Sequence, residues 1–196
     1  MAESLIISVS GMRGIIGSNL TASIAAEYGC AFGSFLRANR REERLSVSIG
    51  MDSRPSGQML KSAVTAGLTG AGVDVIDLGL VTTPCVGISL RELGCAGGVI
   101  ITASHNPIQY NGIKLLLGNG IAPSPEVAAK IRQLFFDKDF TWADSTDCGK
   151  VTSDGMADDR HIAKVLAIID KEKIAARKFR VALDSVNGAG GPITKK

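Results

Sequence analysis

Histidine is scarce, with two residues in 196, and the four cysteines, Cys30, Cys85, Cys95 and Cys148, form no C-x-x-C pair. Zinc sites draw on His and Cys clustered at short spacings, so a zinc fold is excluded. Reduced, partly buried thiols of a cytoplasmic protein are the expected state. No apolar run approaches the roughly 20 residues that cross a bilayer, which excludes a membrane span. The N-terminal "MAESLIISVSG" lacks a basic cluster and a long apolar stretch, so it does not read as a secretory signal. Charge of one sign does not accumulate either: 22 Lys and Arg against 19 Asp and Glu leave +3. With both signs mixed along the chain there is no footprint for nucleic acid. A modest basic face suited to phosphorylated small molecules is still compatible with this balance.

Apolar residues (45%) and glycine (23 residues) are abundant. The glycines fall between apolar runs and read as turns. Strand-like runs at Leu5–Gly11, Leu45–Gly50, Val73–Gly79, "GGVIIT" and Ile113–Gly120 alternate with helical periods. The first helix has Thr21 as N-cap, Ile24, Tyr28, Phe32, Phe35 and Leu36 on one face, and Arg37, Arg40 and Arg41 at its C-terminal end. Further helices are expected over "QMLKSAVTAGLTGAG", "TTPCVGISLRELG" and "SPEVAAKIRQLFF". This order predicts an α/β fold, a mixed, mostly parallel sheet flanked by helices. The runs joined by "TASHNPIQYNG" are too close for a crossover and should pair antiparallel. After Phe136 the texture becomes irregular. A helical segment broken near Asp170 follows, and then "FRVALDSVNGAGG", a strand and glycine turn. Residues 1–150 are therefore read as one domain and 151–196 as the truncated beginning of a second, similar one. The unpaired second unit should be loosely held or should seek another copy of the chain.

The chemistry concentrates in "ITASHNPIQYNGIKLL". Ser104 closes a strand, where α/β folds place ligands, with His105 beside it and Lys114 across the hairpin. A hydrolase nucleophile fits poorly, because the G-x-S-x-G elbow is absent and adjacent side chains point apart. A serine carrying a phosphoryl group fits better: Lys114 would handle a proton or negative charge, and His105 and Asn106 would hydrogen-bond oxygens. The plain alternative is a polar turn built on Asn106-Pro107 and Asn111-Gly112. Arg13, in the glycine-flanked loop "SGMRGIIG", suits a phosphate, or is an ordinary exposed loop arginine. In "GMDSRPSG", Arg54 precedes a helix N-terminus suited to an anion, or forms a local ion pair with Asp52. "NGAGG" lacks the dinucleotide pattern G-x-G-x-x-G. The acids of "SDGMADDR" read as helix N-terminal residues and not as a metal loop.

With those residues in view, "TASHNP" and "YNGIK" resemble the active-serine signature of the α-D-phosphohexomutase superfamily. "SVSGMRGIIGSNLT", "IGMDSRPSG" and "VALDSVNGAGG" are similar to three further segments of that family, so the resemblance runs over about residues 5–191. It implies that Ser104 is phosphorylated and moves its phosphoryl group between the 1- and 6-positions of a hexose phosphate through a bisphosphate. It implies catalytic roles for Ser104, His105, Lys114 and Arg13, and substrate contacts from Arg54, Asn106 and Asn111. It also implies Mg2+ held at the phosphoserine of Ser104, with its other ligands beyond Lys196. Family members carry four domains in roughly 450 residues, in keeping with about 100–150 residues per domain, so residues 1–196 alone should be inactive. The early start of "LIISVSGMRGIIG" resembles phosphoglucosamine mutases or bacterial phosphomannomutases; phosphoglucosamine mutase is the expectation, with phosphomannomutase or phosphoglucomutase as alternatives. A non-catalytic binding module is the competing class if no further domains exist.

Overall fold

The computed structural model describes residues 4–39 and 44–196; Arg40 and Arg41 of the first helix lie outside the described residues. Seven strands form one sheet: β1 (Ile6–Ser8), β2 (Gly11–Ile15), β3 (Ser46–Met51), β4 (Asp74–Leu80), β5 (Gly97–Ile101), β6 (Tyr110–Leu117) and β7 (Val151–Ser153). Their order is β1-β2-β6-β5-β3-β4-β7. β5, β3, β4 and β7 pair in parallel, and β1, β2, β6 and β5 pair antiparallel. The sheet is mixed, as expected. The close connection between β5 and β6 forces their antiparallel pairing, and the β1–β2 hairpin extends it.

Helices α1 (Ala22–Asn39), α2 (Gly57–Gly70) and α4 (Pro125–Asp137) cover one face. Thr21 accepts the Ile24 N–H at 3.4 Å and starts α1. The periodic Tyr28, Phe32, Phe35 and Leu36 pack on Val47, Ile49, Ile101 and Ile113 of the sheet, with Leu60, Val64 and Leu68 from α2. Glycine brings α1 and α2 together: a Cβ at Gly67 would lie 2.1 Å from the Ala26 carbonyl oxygen. Helix α3 (Thr83–Glu92) covers the other face with α5 (Ala157–Leu166). There Cys85, Val86, Ile100 and Ala157 form a second apolar cluster.

Three expectations need correction. The segment "SGMRGIIG" is not a loop: Gly11–Ile15 is strand β2, with Arg13 opposite Gly112 of β6. Gly11 makes this possible, because its φ is 111° and a Cβ there would lie 2.1 Å from the Ile113 carbonyl oxygen. Residues 139–150 are not a free connection. Ala143 and Gly149 donate to the Gly70 and Thr69 carbonyls, and β7, assigned above to the second unit, adds to the first sheet beside β4. The strand anticipated in "FRVALD" does not form. Phe179, Val181 and Leu183 are 57–84% exposed, and the segment pairs with no strand of the sheet. The break near Asp170 is present: α5 ends at Leu166, and Asp170 accepts the Lys173 N–H to start α6 (Lys171–Ala176). A short helix α7 (Gly190–Thr194) follows the glycine turn.

All four cysteines are free, and Cys30, Cys85 and Cys95 are buried. Burial pushes the Cys30 thiol up to about 11 and raises those of Cys85 and Cys95. No helix among the described residues is long and apolar enough to cross a membrane.

Helix α5 is tied to β7 by a two-pronged pair, Arg160 to Asp154 at 2.7 and 2.8 Å. The Arg160 hydrogen bonds hold the Asp154 carboxyl below the usual range. A depressed folded-state pKa stabilises the fold above the unfolded value of ~3.9, and that stability is lost as pH falls through the folded value. Asp154→Asn should therefore cost about 1.5–3 kcal/mol at neutral pH, and its deficit relative to wild type should shrink as pH falls toward the folded-state value. Urea unfolding at pH 7 and pH 3 measures both; an equal deficit at the two values would refute the assignment.

Candidate active site

The parallel strands end at one edge of the sheet, and the chain leaves β3 toward β4 on one side and returns as β5 on the other. Loops that diverge at such a reversal open a crevice, the usual ligand position in α/β sheets. A cavity of about 450 Å³ lies there, lined by the loop after β3 (Asp52–Pro55), the loop after β4 (Val81–Thr83) and the loop after β5 (Ser104, Asn106, Ile108). Gly188 and Ala189 reach it from the glycine turn near the C-terminus.

Ser104 stands in this crevice with φ 58°. The left-handed region costs an L-residue about 1–2 kcal/mol, so the loop must hold it there. Thr102 Oγ1 accepts the Ser104 N–H at 2.9 Å, and Arg54 Nη2 donates to the Ser104 carbonyl at 3.0 Å. The side-chain oxygen is exposed and lies 3.3 Å from His105 Nδ1. Arg13 Nη1 donates to Asn106 Oδ1 at 2.9 Å, which ties β2 to the serine loop. Lys114 and Arg13 line a second, smaller cavity of about 190 Å³ with Thr102, Ser8 and Ser10. Thr102 is common to both cavities. Register places the two cations on one face, since Arg13 opposes Gly112 and Lys114 lies two residues further along β6. Among the described residues no carboxylate lines this smaller cavity, so its charge favours an anion.

Two anticipated substrate contacts have other partners. Asn111 is fully buried; its Nδ2 donates to Ser56 Oγ at 2.9 Å and its Oδ1 accepts the Gly112 N–H at 2.8 Å. It faces the α1–α2 side because it alternates with Gly112 along β6, so it braces the start of α2 and does not reach the cavity. Arg54 is engaged with the serine loop and with Asp52, whose Oδ2 lies 3.3 Å from Nε. Thr102 is the site residue that sequence reasoning missed. Its signal was a threonine two positions before the serine, the spacing at which a hydroxyl accepts a backbone N–H.

Among the described residues no group of three His, Cys, Asp or Glu side chains could hold a metal ion. Asp52 is the one carboxylate lining the larger cavity, and it is paired with Arg54. Magnesium is usually held by one or two carboxylates beside water and phosphate oxygens, and among the described residues the larger cavity offers no carboxylate that is not already paired.

The family model for "Phosphoglucomutase/phosphomannomutase, alpha/beta/alpha domain I" matches residues 5–142. A phosphoglucomutase/phosphomannomutase of Thermococcus kodakarensis is 40% identical over 92% of this chain and 39% of its own length. A phosphoglucosamine/phosphogalactosamine mutase of Sulfurisphaera tokodaii is 34% identical over 94% of this chain and 40% of its own. A crystal structure of a phosphoglucomutase/phosphomannomutase family protein from Burkholderia thailandensis superposes with a TM-score of 0.72 at 29% identity, covering 84% of this chain and 36% of that one. The chain thus spans about two-fifths of the length of the curated relatives it matches.

Proposed function

The chain belongs to the phosphoglucomutase/phosphomannomutase family, and on that premise we propose that it is the phosphoryl-carrying part of a phosphohexomutase. The observation that carries the reading is Ser104 itself, a residue held in the left-handed region at the larger cavity, with Arg13 and Lys114 lining the adjoining cavity across the shared Thr102. The phosphoryl group leaves Ser104 Oγ for a hydroxyl of a hexose monophosphate. The P–O bond to serine breaks, a P–O bond to the sugar forms, the sugar hydroxyl proton passes to a base in the crevice, and a proton is returned to the departing Ser104 Oγ. Return of the other phosphate from the resulting bisphosphate restores the phosphoserine and completes an isomerisation between the 1- and 6-positions. Arg13 and Lys114 steady the charge on the phosphoryl oxygens as charge-assisted donors. His105 sits within reach of the serine oxygen to orient it, and Asn106 links Arg13 to the loop.

Phosphoglucosamine mutase is the branch we favour, supported by relatives such as the Sulfurisphaera protein. Phosphomannomutase and phosphoglucomutase are the alternatives, and a non-catalytic binding module is the competing class. Mg2+ is the proposed cofactor. Its carboxylate ligands would have to come from outside the described residues, and residues 1–196 alone should not turn over. Because β7 pairs with β4 and α5 packs beside α3, we place the start of the second unit after α5 and not at residue 151, with the segment beyond it free to self-associate through exposed Ile168, Phe179 and Val181. A cytoplasmic location fits the free thiols.

The test is 31P NMR of the full-length, natively expressed protein, with whatever domains accompany residues 1–196 in it, on the 1-phosphates of glucosamine, glucose and mannose side by side. The 6-phosphate should accumulate fastest from glucosamine. A faster conversion of glucose or mannose would reassign the branch, and no conversion of any would remove the enzyme reading.

A further inference from the structure

Arg54 commits all four of its terminal N–H groups. Nη1 donates to the carbonyls of Pro107 at 2.8 Å and Tyr110 at 3.0 Å. Nη2 donates to those of Ser104 at 3.0 Å and Asn106 at 2.6 Å. Nε faces Asp52 Oδ2 at 3.3 Å, and Asp52 Oδ1 accepts the Arg54 backbone N–H at 3.0 Å. A guanidinium has five N–H groups; the four on Nη1 and Nη2 have backbone carbonyl acceptors, and the fifth, on Nε, stands beside the Asp52 carboxylate. The loop from Ser104 to Tyr110 is wrapped around this one side chain, which stands on the neighbouring loop after β3.

We propose that Arg54 is a positioning residue for phosphoryl transfer. It fixes the Ser104 backbone in the left-handed region so that Oγ faces the crevice, and it does not bind the substrate phosphate. The proposal rests on the reading of Ser104 as the phosphoryl carrier. Two bonds bracket Ser104, from Thr102 to its N–H and from Arg54 to its carbonyl. Neither uses the side-chain oxygen, so the strain is held by groups that leave the reacting atom free. A substrate phosphate could win Arg54 only by stripping a carbonyl of its donor. Lysine cannot substitute, because a point charge with three donors does not span four carbonyls and a carboxylate.

The test uses Arg54→Lys and Arg54→Ala in the natively expressed protein. Hydrogen exchange of the Ser104, Asn106 and Tyr110 amides should quicken by about 10- to 100-fold in both variants, with Val47 and Ile49 of β3 unchanged. For hexose phosphate turnover, kcat should fall about 100-fold, the usual penalty for a misplaced reacting group, while KM stays within about threefold. Added guanidinium ion should restore part of kcat to Arg54→Ala, and methylammonium should not. Wild-type exchange in Arg54→Lys, or a raised KM with kcat preserved, would overturn the proposal, the latter by making Arg54 a substrate contact. If Arg54→Ala fails to fold, Arg54→Lys carries both readouts. Absence of turnover in the wild type would defeat the mutase reading instead, and the exchange rates would still decide the clamp.

Discussion

Ser104→Ala should abolish hexose phosphate isomerisation in the natively expressed protein, by about 10⁴-fold or more, because the group that accepts and returns the phosphoryl is gone. The fold should survive. The Ser104 side chain is exposed, and its one hydrogen bond runs to the neighbouring exposed His105. Only the left-handed backbone adds a cost, and Ser104 bears it already. Ser104→Gly should be equally inactive yet more stable than Ser104→Ala by about 1 kcal/mol, since glycine enters φ 58° without strain. Turnover assays and urea unfolding on the two variants separate chemistry from conformation. Retention of a tenth of wild-type turnover by a well-folded Ser104→Ala would refute the carrier role.

Asp77→Ala should be the most damaging substitution away from the site. Lys61 Nζ lies 2.6 Å from Asp77 Oδ2, and the lysine side chain is only 7% exposed. Asp77 Oδ1 also accepts the Gly79 N–H at 2.8 Å, at the bend that leads from β4 into the crevice. Removing the carboxylate strands a buried ammonium, a loss of about 3–5 kcal/mol, out of a total stability of about 5–15 kcal/mol for an ordinary domain. Adding Lys61→Met to Asp77→Ala should recover most of the loss, because the uncompensated charge and not the missing contact dominates. Denaturant midpoints of the single and double variants measure this. A double variant no better than Asp77→Ala would show that the Gly79 bond carries the cost instead.

Elements with strong periodicity were legible in the residues. The face Ile24, Tyr28, Phe32, Phe35, Leu36 announced α1, and the buried run Gly97–Ile101 announced β5. β2 escaped because "GMRGI" has two glycines and a charge in five positions; it is a strand through its pairing with β6, a tertiary fact. β7 escaped because its three residues are all exposed and show no alternation. "FRVALD" has a good strand pattern, yet pattern cannot supply the neighbour a strand requires. At the site, residue types pointed to Ser104, His105, Arg13 and Lys114, since their chemistry resides in side chains. The roles of Arg54 and Asn111 were hidden because their partners are backbone carbonyls and a buried hydroxyl, which no spacing in the sequence encodes.

The central claim, that Ser104 carries the phosphoryl group, is tested most directly by mapping phosphate on the natively expressed protein after incubation with a hexose 1,6-bisphosphate labelled at phosphorus. One labelled phosphoryl group per chain is expected, in the peptide containing Ser104, absent from Ser104→Ala, and discharged when unlabelled hexose monophosphate is added. Label on another residue, or label on Ser104 that unlabelled sugar phosphate cannot remove, would contradict it.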